Sequence, residues 1–203
     1  HVQPKAPEIT RKYIDADNYL FFLGNTDPKK NTPRVLKAYS DYLKQSTQKL
    51  PLLIADLKED VIDRILEEEN ITEIKSYIHA PGYIANTDLP ALYGGAFAFL
   101  YPSLRESFGI PMLEAMACGT FCICSNNSGI ATYATDKDNC LMFEKGNIEQ
   151  LAETIEEASF LSTSLYNMFA GILTNTRRPL SPPTEKVIYD GIPELERAVD
   201  SMV

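Results

Sequence analysis

The chain has 203 residues, room for one large domain or two small ones, and its 44% apolar and 23% charged content is that of an ordinary globular protein. A formal net charge of −9 with no basic cluster argues against nucleic acid as a partner, so an anionic ligand needs a few well-placed lysines. No apolar run approaches the ~18 residues of a transmembrane helix.

Residues 1–18 are polar, proline-bearing and aperiodic, as expected of a linker or N-terminal extension. The opening His1-Val-Gln-Pro4 is neither a signal peptide nor a natural start, which suggests a piece of something longer. Tyr19-Leu-Phe-Phe-Leu-Gly24 is an apolar run closed by glycine and predicts a buried parallel strand. Thr32 and Pro33 are expected to cap and open a helix with Leu36, Tyr39 and Leu43 on one face. Leu52 to Ala55 predicts a second strand, residues 59–69 a charged surface helix, and Ile74 to His79 a third strand interrupted by Pro81-Gly82. Thr87 and Asp88 predict the cap of a short helix ending at Gly94-Gly95. Strands follow at 97–101, 120–124 and 140–143, with a helix opened by Pro111 between the first two and another at 148–160. Beyond residue 161 the pattern weakens to a C-terminal extension: Arg177 to Pro183 resembles a linker or surface wrap, and Ile192 to Met202 an amphipathic helix.

Strand and helix thus alternate about six times over 19–160, with strands continuously apolar. That calls for an α/β, Rossmann-like, doubly wound parallel sheet covered on both faces. Ligands bind such sheets outside the carboxyl ends of the strands, where Gly24, Gly82 and the loop 102–110 are expected to converge.

The most informative stretch runs from Tyr101 to Glu114. Proline suits the first helical position, so the loop Glu106-Ser107-Phe108-Gly109-Ile110 sits at the positive end of a helix with free backbone donors, an anion site. Gly109 lets backbone approach a ligand closely. Glu106 and Glu114 flank the site; carboxylates repel an anion, so they suit the hydroxyl-rich, neutral parts of a ligand, such as sugars.

Pro102, Ser103, Glu106, Phe108, Gly109, Pro111, Glu114, Ala115, Met116, Ala117 and Gly119 stand in register, without a gap, with a known pattern. The stretch resembles the donor-binding core of the retaining glycosyltransferases of family 4, which have the two-domain GT-B fold. The resemblance covers roughly residues 19–160 and implies the C-terminal half of such an enzyme. It implies that Glu106 holds donor-sugar hydroxyls and Glu114 the ribose hydroxyls. The N–H groups of Phe108, Gly109 and Ile110 would face phosphate and sugar, beside Ser107. In Gly24-Asn25-Thr-Asp-Pro-Lys29-Lys30, Lys30 matches the lysine that contacts the diphosphate, where it stabilises the charge of the leaving group. Asn25 replaces one of the family's usual cations, which is either missing or supplied by Lys29. Base contacts fall to Tyr83 or Ile84. Ser125 to Gly129 either lines the cleft or is a plain turn. Ala131 and Thr132 stand where the family often has Pro-Glu, which puts that glutamate's role in doubt.

Other signals are read as structural. Cys118, Cys122, Cys124 and Cys140 match no zinc spacing, and Cys122 and Cys124 read as strand core. Reduced thiols fit a cytoplasmic protein, or one held at the cytosolic face of a membrane through another domain. Asp136-Lys-Asp138 imitates the metal motif of the GT-A fold but sits in a polar turn, and His79 reads as a core or edge histidine. The resemblance implies a nucleotide-diphosphate sugar as substrate, no bound metal, an acceptor held by an N-terminal domain absent from this chain, and little activity for the isolated piece. The alternatives are another GT-B activity, such as an epimerase or phosphorylase, and a non-catalytic binding or assembly module.

Overall fold

A computed structural model describes residues 6–160 of the chain. In chain order these form α1 (Pro7–Thr10), β1 (Leu20–Leu23), α2 (Thr32–Gln45), β2 (Leu52–Ala55), α3 (Glu59–Glu68), β3 (Ile78–Gly82), α4 (Leu89–Gly95), β4 (Ala98–Tyr101), α5 (Ile110–Ala117), β5 (Phe121–Ser125), β6 (Leu141–Phe143) and α6 (Ile148–Phe160). The strands make one sheet in the order β3-β2-β1-β4-β5-β6, with every neighbouring pair parallel. This is the expected Rossmann-like α/β layout.

The strands are apolar at successive positions because both faces are covered. Successive side chains of a strand point to opposite faces. Leu20, Phe22, Leu52, Ile54, Ala98, Leu100 and Ile123 accordingly pack with Leu36 and Tyr39 of α2, Ile62 and Leu66 of α3, and Leu151 and Ile155 of α6. Phe21, Leu53, Phe99, Tyr101, Cys122 and Cys124 meet Leu92 and Tyr93 of α4 and Met112 and Ala115 of α5 on the other face. Leu36 is fully buried; truncating such a side chain to Ala costs about 2–5 kcal/mol. The cysteines of β5 are thus core residues, and all four thiols are free.

Several local expectations shift. Residues 7–18 are not an aperiodic linker: Pro7 opens α1, Ile14 and Tyr19 are buried, and the Tyr13 hydroxyl donates to Asp88 at 2.8 Å. The segment is too short to show a period. The third strand begins later than expected, because Thr72–Tyr77 winds as a 3-10 helix and β3 includes Pro81 and Gly82. Proline is tolerated there because β3 is an edge strand; His79 is half-buried on that edge, in register with Leu53. Asp88 is the N-cap of α4 as expected, but its side chain accepts the Tyr13 hydroxyl instead of a helix N–H. Thr32 lies inside α2, whose N-cap is Asn31 in the left-handed region at φ 65°. The readings for Arg177 to Pro183 and Ile192 to Met202 lie outside the described residues.

Sheet order reverses between β1 and β4, so the chain leaves these adjacent strands in different directions. That opens a crevice at their carboxyl ends, the usual ligand position in such sheets.

Candidate donor site

The loop after β1 is built by short polar side chains. Asn25 Oδ1 accepts the N–H of Asp27 at 2.9 Å, and Asp27 Oδ1 accepts that of Lys29 at 3.0 Å. These bonds shape a 3-10 turn at Pro28–Lys30. Thr32 donates its hydroxyl to the carbonyl of Asn25 at 2.7 Å and so ties the start of α2 back to the loop. Gly24 is required by packing: a Cβ there would lie 2.7 Å from side-chain atoms of both Ile54 and Leu57.

The loop after β4 is fastened to this turn, with the Leu104 N–H donating to the Lys29 carbonyl at 2.7 Å. The clamp brings Lys30 to Glu106, Nζ to Oε1, at 2.9 Å, with 22% and 15% of the two side chains exposed. The same ammonium sits 5.5 Å from the centre of the Tyr101 ring. Burial alone would raise the Glu106 pKa. The Lys30 ammonium, helped by the nearby Ser103 and Tyr101 hydroxyls, outweighs burial and holds the carboxyl below its ordinary range. Tyr101 is itself buried, and its hydroxyl makes no hydrogen bond of good geometry.

Gly109 is the N-cap of α5 at φ 80°, Ile110 is the first helical residue, and Pro111 therefore takes the second position instead of the first. Among the described residues, the N–H groups of Ser107, Phe108, Gly109 and Ile110 have no acceptor. Free donors at a helix N-terminus form an anion site. Glu114 falls in the second turn of α5, and its Oε2 accepts the Tyr93 hydroxyl at 3.3 Å. Burial raises the Glu114 carboxyl above its ordinary range, and the Tyr93 hydrogen bond only partly opposes this.

The segment 125–133 supports this loop from beneath. Ser125 donates its hydroxyl to the Ser103 carbonyl at 2.5 Å. A Cβ on Gly129 would lie 2.1 Å from the Glu106 carbonyl oxygen, so the two backbones touch and only glycine fits. Tyr133 reaches the Phe108 and Gly109 carbonyls at 2.8 and 3.1 Å.

Residues 7–168 match the family model described as glycosyl transferases group 1. The chain belongs to that family. O-antigen chain mannosyltransferase B of Escherichia coli is 31% identical over 133 residues, which are 64% of this chain and 34% of that protein. The serotype-specific mannosyltransferase WbdA of Escherichia coli is 30% identical over 149 residues, 72% of this chain and 18% of that one. The chain therefore spans about a third of the length of the first of these relatives and about a fifth of the second. Among solved structures, the C-terminal domain of a glycosyl transferase group 1 family protein (LpcC) from Francisella tularensis gives a TM-score of 0.68 at 19% identity, over 88% of this chain and 95% of that domain. Anabaena HepE in complex with UDP gives 0.71 at 15% identity, over 97% of this chain and 54% of that one. At such identities the likeness is one of fold.

Within this group 1 chain the structure joins some of the sequence candidates and separates others. Lys30 and Glu106 meet across the crevice, and the donors of 107–110 share Glu106's loop. Lys29 turns away: its ammonium pairs with Asp27 at 3.2 Å and is 53% exposed. Ile84 is only 2% exposed and its side chain belongs to the core, which removes it as a side-chain contact for a base; Tyr83 beside it is 75% exposed. The stretch Ser125 to Gly129 backs the Glu106 loop. Asp136 Oδ1 accepts the Met142 N–H at 2.7 Å, a turn bond. Tyr93, Tyr101 and Tyr133 were invisible as site residues in the sequence, since each matters through a partner distant in the chain. The one available signal for Gly129 was a glycine closing a polar run after a strand. Among the described residues no helix is long and apolar enough to cross a membrane.

Proposed function

We propose that the chain is the donor-binding half of a retaining glycosyltransferase that takes a sugar from a nucleotide diphosphate. The observation that carries this reading is Lys30 beside Glu106, at the mouth of a helix N-terminus with four free N–H groups. One cation and a ring of neutral donors suit a diphosphate, and the carboxylates beside them suit hydroxyls. Lys30 and the N–H groups of Phe108, Gly109 and Ile110 hold the diphosphate, with Ser107 in the same loop. Glu106 accepts hydrogen bonds from the sugar and Glu114 from the ribose. Exposed Tyr83 offers a face to the base, beside the main chain of Ile84.

In the reaction the bond from the anomeric carbon to the diphosphate oxygen breaks. The acceptor oxygen bonds that carbon from the same face, and its proton passes to the departing phosphate. Negative charge grows on the diphosphate as the bond opens, which is when Lys30 and the fixed N–H dipoles stabilise it most. The acceptor is held by a partner domain that faces the carboxyl ends of β1 and β4, and the work is done on the cytosolic side. The names of the relatives support mannose as the sugar, and HepE's complex with UDP supports the nucleotide class.

Thermal-shift titration with UDP, GDP and ADP tests this. One of the three should raise the melting temperature in a saturable way, and its mannose conjugate should raise it further. No shift with any of them would favour a non-catalytic module of the same fold.

A further inference from the structure

We infer that Tyr133 is the positioning residue that aims the phosphate-binding N–H groups of the α5 loop. This rests on the donor-site reading and goes beyond it, because Tyr133 touches no ligand in that reading. Its hydroxyl carries one proton and lies 2.8 Å from the Phe108 carbonyl and 3.1 Å from that of Gly109, so it bridges two successive peptide units. In a trans peptide the C=O and N–H point in opposite directions. Tying both carbonyls to one point beneath the loop turns the next two N–H groups, those of Gly109 and Ile110, to the opposite side. Neither has an acceptor among the described residues.

Three further contacts show that the arrangement is built. The Tyr133 ring meets the Phe108 ring edge to face, with centroids 5.7 Å apart, which fixes the ring as well as the hydroxyl. A Cβ at Gly109 would lie 2.6 Å from the Tyr133 hydroxyl and 2.8 Å from Ile130, so the loop rests directly on this support. Asn139 donates its amide to the Tyr133 carbonyl at 2.7 Å and anchors the backbone that carries the ring. A loop with a left-handed glycine and free donors has many alternative peptide orientations. The first turn of α5 already holds the Gly109 carbonyl through the Met112 and Leu113 N–H groups. The tyrosine adds the tie on the Phe108 carbonyl that fixes the preceding peptide before the ligand arrives; preorganised donors stabilise charge without reorganising.

The test compares the 203-residue chain with Tyr133→Phe, which keeps the ring and removes the hydroxyl. Calorimetric titration uses UDP, GDP and ADP and the matching monophosphates, which lack the phosphate nearest the sugar. Tyr133→Phe should weaken the preferred diphosphate about tenfold, the size of one lost hydrogen bond, and leave the monophosphate unchanged. A purely structural role would weaken both equally, and that result, or no change in either, overturns the inference. In the wild-type chain the amide resonances of Gly109 and Ile110 should shift on adding the diphosphate and stay in place with the monophosphate. This readout holds even if the variant folds poorly, and unmoved amides in the presence of bound diphosphate would also overturn it. If the wild-type chain binds no diphosphate at all, the donor-site reading fails first and this inference with it.

Discussion

Lys30 Nζ lies 2.9 Å from Glu106 Oε1, joining two loops whose residues are 76 positions apart in the chain. The pair sits where sheet order reverses, between β1 and β4. It links fold to chemistry directly: one topological feature sets a cation beside a carboxylate in the loop that leads into α5.

Removing the lysine should therefore act twice. Lys30→Ala should weaken diphosphate binding by about 1.5–3 kcal/mol, the range for a charge-assisted hydrogen bond. It should also change the acid response. Glu106 is held below its ordinary range in the folded chain, so it contributes stability above its unfolded value, and that contribution is lost as pH falls through the folded one. Without Lys30 the folded value moves back up toward the unfolded one, so the loss of melting temperature on acidification should be smaller than in wild type. Lys29→Ala is the contrast. Its ammonium pairs with Asp27 in the open, and exposed pairs of this kind contribute about 0–1 kcal/mol. Its effect on nucleotide affinity, read by the same titration, should be much smaller than that of Lys30→Ala.

Gly129→Ala probes the support of the loop. The new Cβ would start 2.1 Å from the Glu106 carbonyl oxygen, which is backbone and cannot swing aside. The Glu106 loop must move, so binding of nucleotide sugar should fall more than in any single removal of a side-chain hydrogen bond. Urea unfolding should show a loss on the order of 1–3 kcal/mol, typical of overpacking. Wild-type affinity in this variant would mean that the 125–129 segment does not set the position of Glu106.

The fold was legible because its signals are local. Continuous apolar runs at 20–23, 52–55 and 98–101 announce strands buried on both faces, and the spacing from Glu106 to Glu114 is carried intact on one loop and helix. What was not legible depends on pairing across the sequence. Pro81 reads as a strand breaker until β3 is known to be an edge. Asp88 reads correctly as the cap of α4, but the Tyr13 hydroxyl that its side chain accepts lies 75 positions away. Lys29 and Lys30 are neighbours in one turn, and only the fastening of Leu104 to the Lys29 carbonyl shows which of them faces Glu106. Tyr133 belongs to the site only because Gly109 rests on it.

Glu114 should show the opposite pH behaviour to Glu106. Burial raises its pKa above the ordinary 4.5, the Tyr93 hydroxyl opposing. Between the ordinary and the raised value the folded chain holds more of this proton than the unfolded one, so stability falls as pH rises through that window. Glu114→Gln removes the charge, and should raise the melting temperature of the unliganded chain at neutral pH while flattening its dependence across the window. A variant that melts lower than wild type at neutral pH, with the pH slope intact, would contradict this.

The most direct test of the donor site is calorimetric titration of wild type, Glu106→Gln and Glu114→Gln with the preferred nucleoside diphosphate and with its sugar conjugate. Glu114 is assigned to ribose, which both ligands carry, so Glu114→Gln should weaken both by about 1–3 kcal/mol, the cost of leaving a hydroxyl imperfectly paired. Glu106 is assigned to the sugar, so Glu106→Gln should weaken the conjugate by a similar amount and leave the bare diphosphate nearly unchanged. Equal losses for both ligands in both variants, or no loss in either, would contradict the assignment of this crevice as a nucleotide-sugar site.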